Sequence, residues 1–438
     1  MSSKAVTIFY KERNMNFENF KLDSKITAGV LAMGYTSPTP IQLEAIPPIM
    51  DGKDLMGLAQ TGTGKTAAFV LPILHRLLQS TRRSSLRVLI ISPTRELTEQ
   101  TNQAIAKLGK KTKLRSVSIY GGVSMQPQIM ALKRGVDIVT ACPGRLLDHL
   151  NQGTIKLSDI EVLVLDEADQ MFEMGFLQDI KKIIKHLPKN RQTLLFSATM
   201  PDDIRALARE VLHDPVTVQV GDTRPVPTVS HTFYPIQTGS KTALLKNILE
   251  NTETGPVLVF TRTKHRSKTV AQQLEKSGFG ATALHGDLTQ SKRQKALDGF
   301  RHGSYKILVA TDVAARGIDV RGISHVINYD IPDTALAYTH RIGRTGRAWD
   351  TGDAFTFVTG EDRFVERSIT KVLGDKPKYC TVAGFDYSLP KVEQESGRKR
   401  QRARRDNPGQ SWRGKKAQGR GRTGFPRTSG NRERLFID

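Results

Sequence analysis

Residues 59–66 read Ala-Gln-Thr-Gly-Thr-Gly-Lys-Thr. Glycines at this spacing free the backbone to curl its N–H groups around an anion, and the Lys-Thr pair suits a phosphate and its counter-cation. The octet follows the strand-like run DLMGL and opens an apolar helical pattern, so a helix N-terminus adds its positive end. On this reading Ala59, Gln60, Thr61, Gly62, Thr63, Gly64, Lys65 and Thr66 form a phosphate loop, with Ala59 in the first glycine slot. Lys65 reaches the β- and γ-phosphates of a nucleotide, and the Thr66 hydroxyl holds Mg²⁺. The competing reading is a plain glycine-rich turn.

Such a loop needs an acidic partner at the end of a neighbouring strand. The run VLVLDEAD supplies Asp166 and Glu167 directly after four apolar residues. Asp166 suits Mg²⁺, mostly through water, and Glu167 suits the orientation and deprotonation of an attacking water. An acidic cluster stabilised by a helix dipole is the alternative. The third cluster, HRIGRTGR at 340–347, holds three arginines and a histidine in eight residues.

The elements that must position these groups are legible as short β-branched runs: RVLIISP (87–93), EVLVLDEA (161–168), QTLLFSAT (192–199), PVLVFTRT (256–263), YKILVAT (305–311) and HVINYD (325–330). Near-continuous apolarity over so few residues marks strands buried on both faces. Helical patterns such as KTAAFVLPILHRLLQ and SKTVAQQLEKSG alternate with them, which predicts parallel sheets covered on both sides. The series breaks at VGDTRPVPTVSH (220–231), where Pro225 and Pro227 disfavour helix. The predicted organisation is an N-terminal extension (1–14), a first α/β domain (15–219), a linker (220–231), a second α/β domain (232–390) and a tail (391–438).

The tail carries fifteen Lys and Arg against five Asp and Glu, a net +10 of the chain's +23. With almost no aliphatic residues before its last positions, it cannot bury enough apolar surface to order itself. A sequence-tolerant RNA-binding tail, with Trp412 and Phe425 available for stacking, competes with a purely solubilising one. The overall positive charge favours a polyanionic partner, most often nucleic acid. Two cysteines, Cys142 and Cys380, cannot build a disulfide framework or a four-cysteine zinc site. No run approaches the roughly 18 apolar residues of a membrane span, and the N-terminus lacks a signal-peptide core, so the cytoplasm is the expected compartment.

Asp166-Glu167-Ala168-Asp169 spells the signature of the DEAD-box RNA helicases, and the chain resembles that family from about residue 15 to 375. The other motifs stand in order: Phe17 with GYTSPTPIQ (34–42), PTREL (93–97), GG (121–122), SAT (197–199), ATDVAARGID (310–319) and HRIGRTGR (340–347). The pattern looks most like bacterial RhlE-type members with a basic tail. The resemblance implies two tandem RecA-like domains with parallel sheets, a P-loop NTPase of helicase superfamily 2, followed by a disordered basic tail.

The donor and acceptor of the Gln42 amide match the adenine N6/N7 edge, which predicts preference for ATP. By resemblance Phe17 covers the adenine face; as a residue it reads equally as a core aromatic. Arg344 and Arg347 match arginine fingers that reach the γ-phosphate, where a planar, always-charged guanidinium suits a spreading transition-state charge. Asp319 matches the residue that contacts the nucleotide ribose. For RNA, the resemblance implies contacts from Pro93, Thr94, Arg95, Gly122, Arg145, Arg262, Gly286, Thr311 and Asp312, with Gln290 and Arg293 in a further second-domain motif. Such contacts go to phosphates and 2′-hydroxyls and ignore base sequence. Ser197 and Thr199 match the motif that couples the nucleotide pocket to RNA. Two positions depart from the pattern: Cys142 stands where a threonine is usual, and Trp349 where a small residue is usual.

The expected activity is ATP-dependent local unwinding of short RNA duplexes, or remodelling of ribonucleoprotein, by a monomer using ATP and Mg²⁺. Precursor ribosomal RNA and RNA-decay complexes are compatible partners. A clamp or annealing scaffold with little unwinding, and a DNA helicase of the same superfamily, are the competing functions.

Overall fold

In the computed structural model, residues 16–60, 62–80, 86–220, 229–315, 320, 322–345, 351–374 and 377–387 are described. The expected N-terminal extension and basic tail, Trp349, and most of the expected linker lie outside these residues.

All of the β-branched runs singled out in the sequence form strands. The first sheet holds β1 (Leu55–Ala59), β2 (Val88–Ile91), β3 (Ser116–Ile119), β4 (Ile138–Ala141), β5 (Val162–Leu165), β6 (Gln192–Ser197) and β7 (Val216–Val220). The second holds β8 (Val229–Pro235), β9 (Val257–Phe260), β10 (Ala281–Leu284), β11 (Ile307–Ala310), β12 (His325–Asn328), β13 (Gly352–Val358) and β14 (Lys378–Tyr379). Their orders are β3-β4-β2-β5-β6-β1-β7 and β10-β11-β9-β12-β13-β8-β14. Adding seven to each strand number of the first order gives the second, so the two sheets are wound identically. Every pairing is parallel, as at Val88↔Val162 and Val257↔Ile307. β2, β5, β9 and β11 are buried along their whole length, which is why they read as unbroken apolar runs rather than alternating ones.

Helices cover the first sheet: α1 (Ser24–Ala32), α2 (Pro40–Met50), α3 (Lys65–Gln79), α4 (Arg95–Leu108), α5 (Gln126–Lys133), α6 (Pro143–Asn151), α7 (Ala168–Glu173), α8 (Leu177–Ile184) and α9 (Asp202–Val211). On the second lie α10 (Lys241–Asn251), α11 (Lys264–Lys276), α12 (Gln290–Arg301), α13 (Asp312–Ala315), α14 (Ala335–Ile342) and α15 (Arg363–Leu373). Each sheet has a separate apolar core on each face. One, on the first sheet, joins Phe69, Leu71 and Phe196; its counterpart across the sheet joins Leu89, Leu163 and Leu195.

The expected linker is too long at its C-terminal end. Val229–His231 already belong to β8, where Val229 is buried and pairs with Gly352. The burial of Val229, Thr232 and Phe233 against β13 outweighs the polar look of the segment. Among the described residues, no helix is long and apolar enough to cross a membrane.

Candidate functional site

The phosphate loop sits between β1 and α3, as its sequence predicts. Lys65 is the first residue of α3, and Gly64 before it has φ 95°. A Cβ on Gly64 would lie 2.5 Å from Gln42 Nε2 and 2.9 Å from Thr39 Oγ1, so only glycine fits both the torsion and the space. Gln42 occupies that space because α2 starts with a capping box: Thr39 N–H donates to Gln42 Oε1 at 3.0 Å. Its Nε2 donates to the Gly64 carbonyl at 3.1 Å. One acceptor direction of this amide therefore serves the α2 cap and one N–H the loop, and the others are left for a ligand edge. Lys65 is buried and donates to the Ala59 carbonyl at 2.8 Å. Thr63 Oγ1 donates to the Gln60 carbonyl at 2.8 Å. Thr66 is half-buried on the first turn of α3, and Gly62 is exposed. Thr61 lies outside the described residues.

Phe17 is buried in the first lobe's core, stacked on Tyr35 at 6.2 Å and edge-on to Phe20 at 6.1 Å. Of the two readings of this residue, the described contacts are those of the core aromatic.

Asp166 and Glu167 follow β5 as predicted, and both are buried. Glu167 takes left-handed torsions (φ 54°, ψ 54°), unusual for a side chain with a Cβ and costing about 1 kcal/mol or more. The strand ends so abruptly there that both carboxylates stay at its tip. Burial pushes the Asp166 carboxyl upward; Lys65 pulls it partly back, and Glu167 pushes it further up. Asp166 Oδ1 has no hydrogen-bond partner among the described residues. A buried, partnerless carboxylate oxygen beside a phosphate-loop lysine fits a hard cation with oxygen ligands.

Asp169 has a different task. Its Oδ2 accepts from Thr199 N–H (2.9 Å), Thr199 Oγ1 (3.0 Å) and Ala198 N–H (3.1 Å). Ser197 Oγ accepts from Asp169 N–H at 3.2 Å and donates to the Thr199 carbonyl at 2.7 Å. The SAT segment is thus lashed to the last residue of DEAD. From the other lobe, His340 Nε2 lies 3.8 Å from the same Asp169 oxygen, and Nδ1 lies 3.9 Å from Glu173. A largely apolar interlobe cleft of about 230 Å³ opens beside them, lined by Gln60, Thr199, Met200, Leu336 and His340 among others.

Arg344, two residues after α14, is buried and lines a small recess with Phe260, Asp312, His340 and Arg341. Arg347 and Asp319 lie outside the described residues.

The residues with an expected RNA role in the first lobe gather at the C-terminal edge of its sheet. Pro93 is buried before α4, and Thr94 caps that helix by accepting from Leu97 N–H at 3.2 Å. Gly122 has φ 80°, and a Cβ there would run into the Arg95 guanidinium at 2.0 Å. Arg145 Nη1 donates to the Val123 carbonyl at 3.2 Å, and its Nε lies 3.3 Å from Asp148. Cys142 is turned inward, 3.3 Å from Thr98 Oγ1, and burial pushes its thiol up to about 11. In the second lobe Gly286 is exposed, Thr311 and Asp312 are half-buried at the start of α13, and the exposed Arg262 lies 3.5 Å from Asp333.

Sequence reasoning missed four supporting groups. Glu96, inside PTREL, is buried and receives Arg293 of the second lobe at 2.7 and 2.8 Å. Gln128 and the fully buried His149 bond to each other at 3.1 Å, and Gln128 Nε2 donates to the Tyr120 carbonyl at 3.0 Å, just before the GG pair. Asp330 gathers four donors in the second lobe. Arg293 and Glu96 lay inside recognised motifs; nothing in the sequence links Gln128 to His149.

Two parallel sheets wound alike, one of them carrying a phosphate loop and a strand-tip Asp-Glu pair, define a tandem RecA-like P-loop NTPase. The family description "DEAD/DEAH box helicase" matches residues 39–207, and "Helicase conserved C-terminal domain" matches 240–349. The chain is 45% identical over 360 residues to the ATP-dependent RNA helicase CshA of Listeria monocytogenes, covering 81% of this chain and 69% of that one. The chain belongs to the DEAD-box helicase family. Its structure matches Saccharomyces cerevisiae Dbp5 bound to RNA and ADP BeF₃ with a TM-score of 0.75, at 30% identity over 83% of this chain and 95% of that one. Against a point variant of the same S. cerevisiae protein bound to Nup159, a Gle1 variant, IP6 and ADP, the TM-score is 0.58 at 29% identity, over 82% and 95%.

Proposed function

We propose that this chain is an RNA-stimulated ATPase that locally unwinds short RNA duplexes or remodels ribonucleoprotein, using ATP with Mg²⁺. The observation that carries this reading is the junction at Asp169, where the SAT segment and His340 of the opposite lobe meet one residue past the buried Asp166-Glu167 tip and its flanking alanine. A nucleotide on one side of that junction and RNA on the other would each favour the closed arrangement, and each would then strengthen binding of the other by the same factor.

In this reading Lys65 and the loop amides of 59–66 bind the phosphates, and Gln42 takes the adenine edge. Phe17, by the family resemblance, covers the adenine face. Thr66 and Asp166 would hold Mg²⁺, which draws charge from the phosphates. Glu167 orients the attacking water and takes its proton. Arg344 and Arg347 bring positive charge from the second lobe, and Asp319 the ribose contact. Pro93, Thr94, Arg95, Gly122, Arg145, Arg262, Gly286, Thr311 and Asp312 hold the phosphates and 2′-hydroxyls of RNA, which leaves the grip indifferent to sequence. Ser197 and Thr199 couple the two sites.

Domain bounds of 15–220 and 229–390, set by the end of β7 and the start of β8, a cytoplasmic monomer, an RNA-binding tail and partners among ribosomal precursors or RNA-decay complexes complete the proposal. At subfamily level the curated relative reported above is named CshA; the RhlE-like placement rests on the motif pattern and the basic tail.

The test is steady-state ATP turnover with and without RNA, beside unwinding of a short duplex. Glu167→Gln is expected to lower RNA-stimulated turnover at least ~100-fold while leaving ATP binding intact. Turnover indifferent to both RNA and this substitution would leave the clamp or scaffold reading in its place, and equal stimulation by DNA would favour the DNA helicase.

A further inference from the structure

The identical winding of the two sheets makes their positions comparable strand by strand: β8 sits where β1 sits, and β12 where β5 sits. After β1 comes the phosphate loop, ending in Lys65 as the first residue of α3. After β8 comes Gln237-Thr238-Gly239-Ser240, ending in Lys241 as the first residue of α10. After β5 comes Asp166; after β12, one residue further on, comes Asp330. The second lobe thus holds a lysine and an aspartate at the places where the first lobe keeps its phosphate lysine and cation carboxylate.

The two lobes use these places differently. In the first, Lys65 turns to a backbone carbonyl and Asp166 keeps a partnerless oxygen. In the second, the lysine and aspartate close on each other. Lys241 Nζ donates to Asp330 Oδ1 at 3.2 Å, and both side chains are almost wholly buried. Arg266 Nη1 adds a second donor to the same oxygen at 2.7 Å. The backbone N–H of Arg262 donates to Oδ2 at 2.9 Å. Burial opposes the charge on Asp330, but the Arg262 N–H, Lys241 and Arg266 together hold its carboxyl below the usual carboxylate range.

From this node the contacts run outward. The Asp330 carbonyl accepts from Arg341 Nη1 at 2.7 Å, and the same nitrogen reaches Asn328 Oδ1 at 3.0 Å. Arg341 then grips Asp312 with two parallel bonds of 2.5 and 2.6 Å, its guanidinium 5.0 Å from the Phe260 ring centre. Arg262 and Asp312 lie on the RNA-facing side of the proposed function; Arg344, three residues after Arg341, lies on the nucleotide-facing side.

We propose that Asp330 is a positioning residue for the helicase reaction: paired with Lys241, it fills the second lobe's counterpart of the phosphate site with the lobe's own carboxylate, and through Arg262 and Arg341 it fixes the RNA-facing and nucleotide-facing groups of that lobe in one register. The proposal rests on the site assignments above. The donors to Asp330 are all residues of its own lobe, so its action runs through them.

The experiment uses the full chain and compares Asp330→Asn with the double variant Asp330→Asn/Lys241→Met, which removes the buried lysine charge that the single change strands. Melting temperature, ATP affinity without RNA, kcat and the KM for RNA are measured for both. ATP affinity should stay within about twofold of wild type, because the first lobe is untouched. The kcat should fall and the KM for RNA rise, each about tenfold or more, since a misplacement on the order of 1 Å costs ~100-fold. The double variant should regain much of the lost melting temperature without regaining kcat or RNA KM. If activity returns along with stability, or if a folded Asp330→Asn keeps wild-type kcat and KM, Asp330 only holds the lobe together and the proposal is overturned. Wild-type protein that RNA does not stimulate would instead refute the function itself, and with it this role.

Discussion

Gly64 shows how tightly single residues are specified here. Its φ of 95° and the Gln42 amide 2.5 Å from where a Cβ would stand leave no room for a larger residue. Gly64→Ala should raise the KM for ATP at least about tenfold and cost roughly 1–2 kcal/mol of stability, through strain and loss of the Gln42 tether. ATP titration and denaturant unfolding of one preparation would check both; wild-type KM in a folded Gly64→Ala protein would contradict this account of the loop. At this scale most of the candidate site was legible. Lys65, Asp166 and Glu167 stand where their spacing put them, because a loop between strand and helix and a strand tip are local features. The second bonds of Gln42 were not legible, since its capping-box partner is local but its reach to Gly64 spans 22 residues. The fate of Phe17 depended on Tyr35 lying under it, which no periodicity encodes.

Among the elements, the turn that carries Gly121 and Gly122 is held from behind by α5 and α6. His149 bonds Thr154 Oγ1 at 2.7 Å and Gln128 at 3.1 Å, and Gln128 holds the Tyr120 carbonyl. Gln128→Leu keeps the volume and removes the tether, so the KM for RNA should rise about threefold to tenfold while kcat at saturating RNA stays near wild type. An unchanged KM would show that Arg95 and Arg145 suffice to hold the turn. The same helix pair carries a pH signature. Burial holds His149 below the ordinary histidine range, with Arg145 adding to this and Asp148 opposing it. The unfolded chain therefore takes up protons first as pH falls, so this contribution to stability is present above about pH 6.5 and is lost as pH drops through the lowered folded value. Melting temperatures at a series of pH values for wild type and His149→Gln should converge in acid; parallel curves would remove His149 as the source. Strands buried on both faces were readable where the run is unbroken and apolar, as in β2, β5, β9 and β11; β4 (Ile-Val-Thr-Ala), equally buried, passed unmarked because Thr140 interrupts it. β3 (Ser-Val-Ser-Ile) and β10 (Ala-Thr-Ala-Leu) passed unmarked because edge strands keep polar or small residues on their open side. β8 was partly taken for linker because its first residues, Val-Ser-His, follow the proline-containing segment directly and include polar side chains.

Across the whole molecule, the two lobes are joined most firmly by Glu96 and Arg293, both buried, with bonds of 2.7 and 2.8 Å. Burying an ion pair gains little by itself, but breaking one partner costs about 3–5 kcal/mol. Glu96→Arg should therefore weaken the binding of RNA and ATP to each other's complexes by a factor of about ten or more, and Glu96→Arg/Arg293→Glu should recover part of it. Isothermal titration with and without the other ligand reads the coupling directly; equal coupling in all three proteins would show that the pair does not govern closure. Neither residue revealed its partner in the sequence, because they are 197 positions apart, on helices α4 and α12 of different lobes.

That separation has a consequence for how the protein is made. At ribosomal speeds of about 5–20 residues per second, Glu96 leaves the exit tunnel some 10–40 seconds ahead of Arg293. Over the later part of that interval, once Val220 at the end of β7 has emerged, its carboxylate is hydrated on a half-finished chain whose first lobe is already complete. The cost of stripping water from this charge thus falls on the docking of two finished lobes and not on the birth of either one, so the nascent first lobe carries a hydrophilic seam that guards it against sticking to its neighbours.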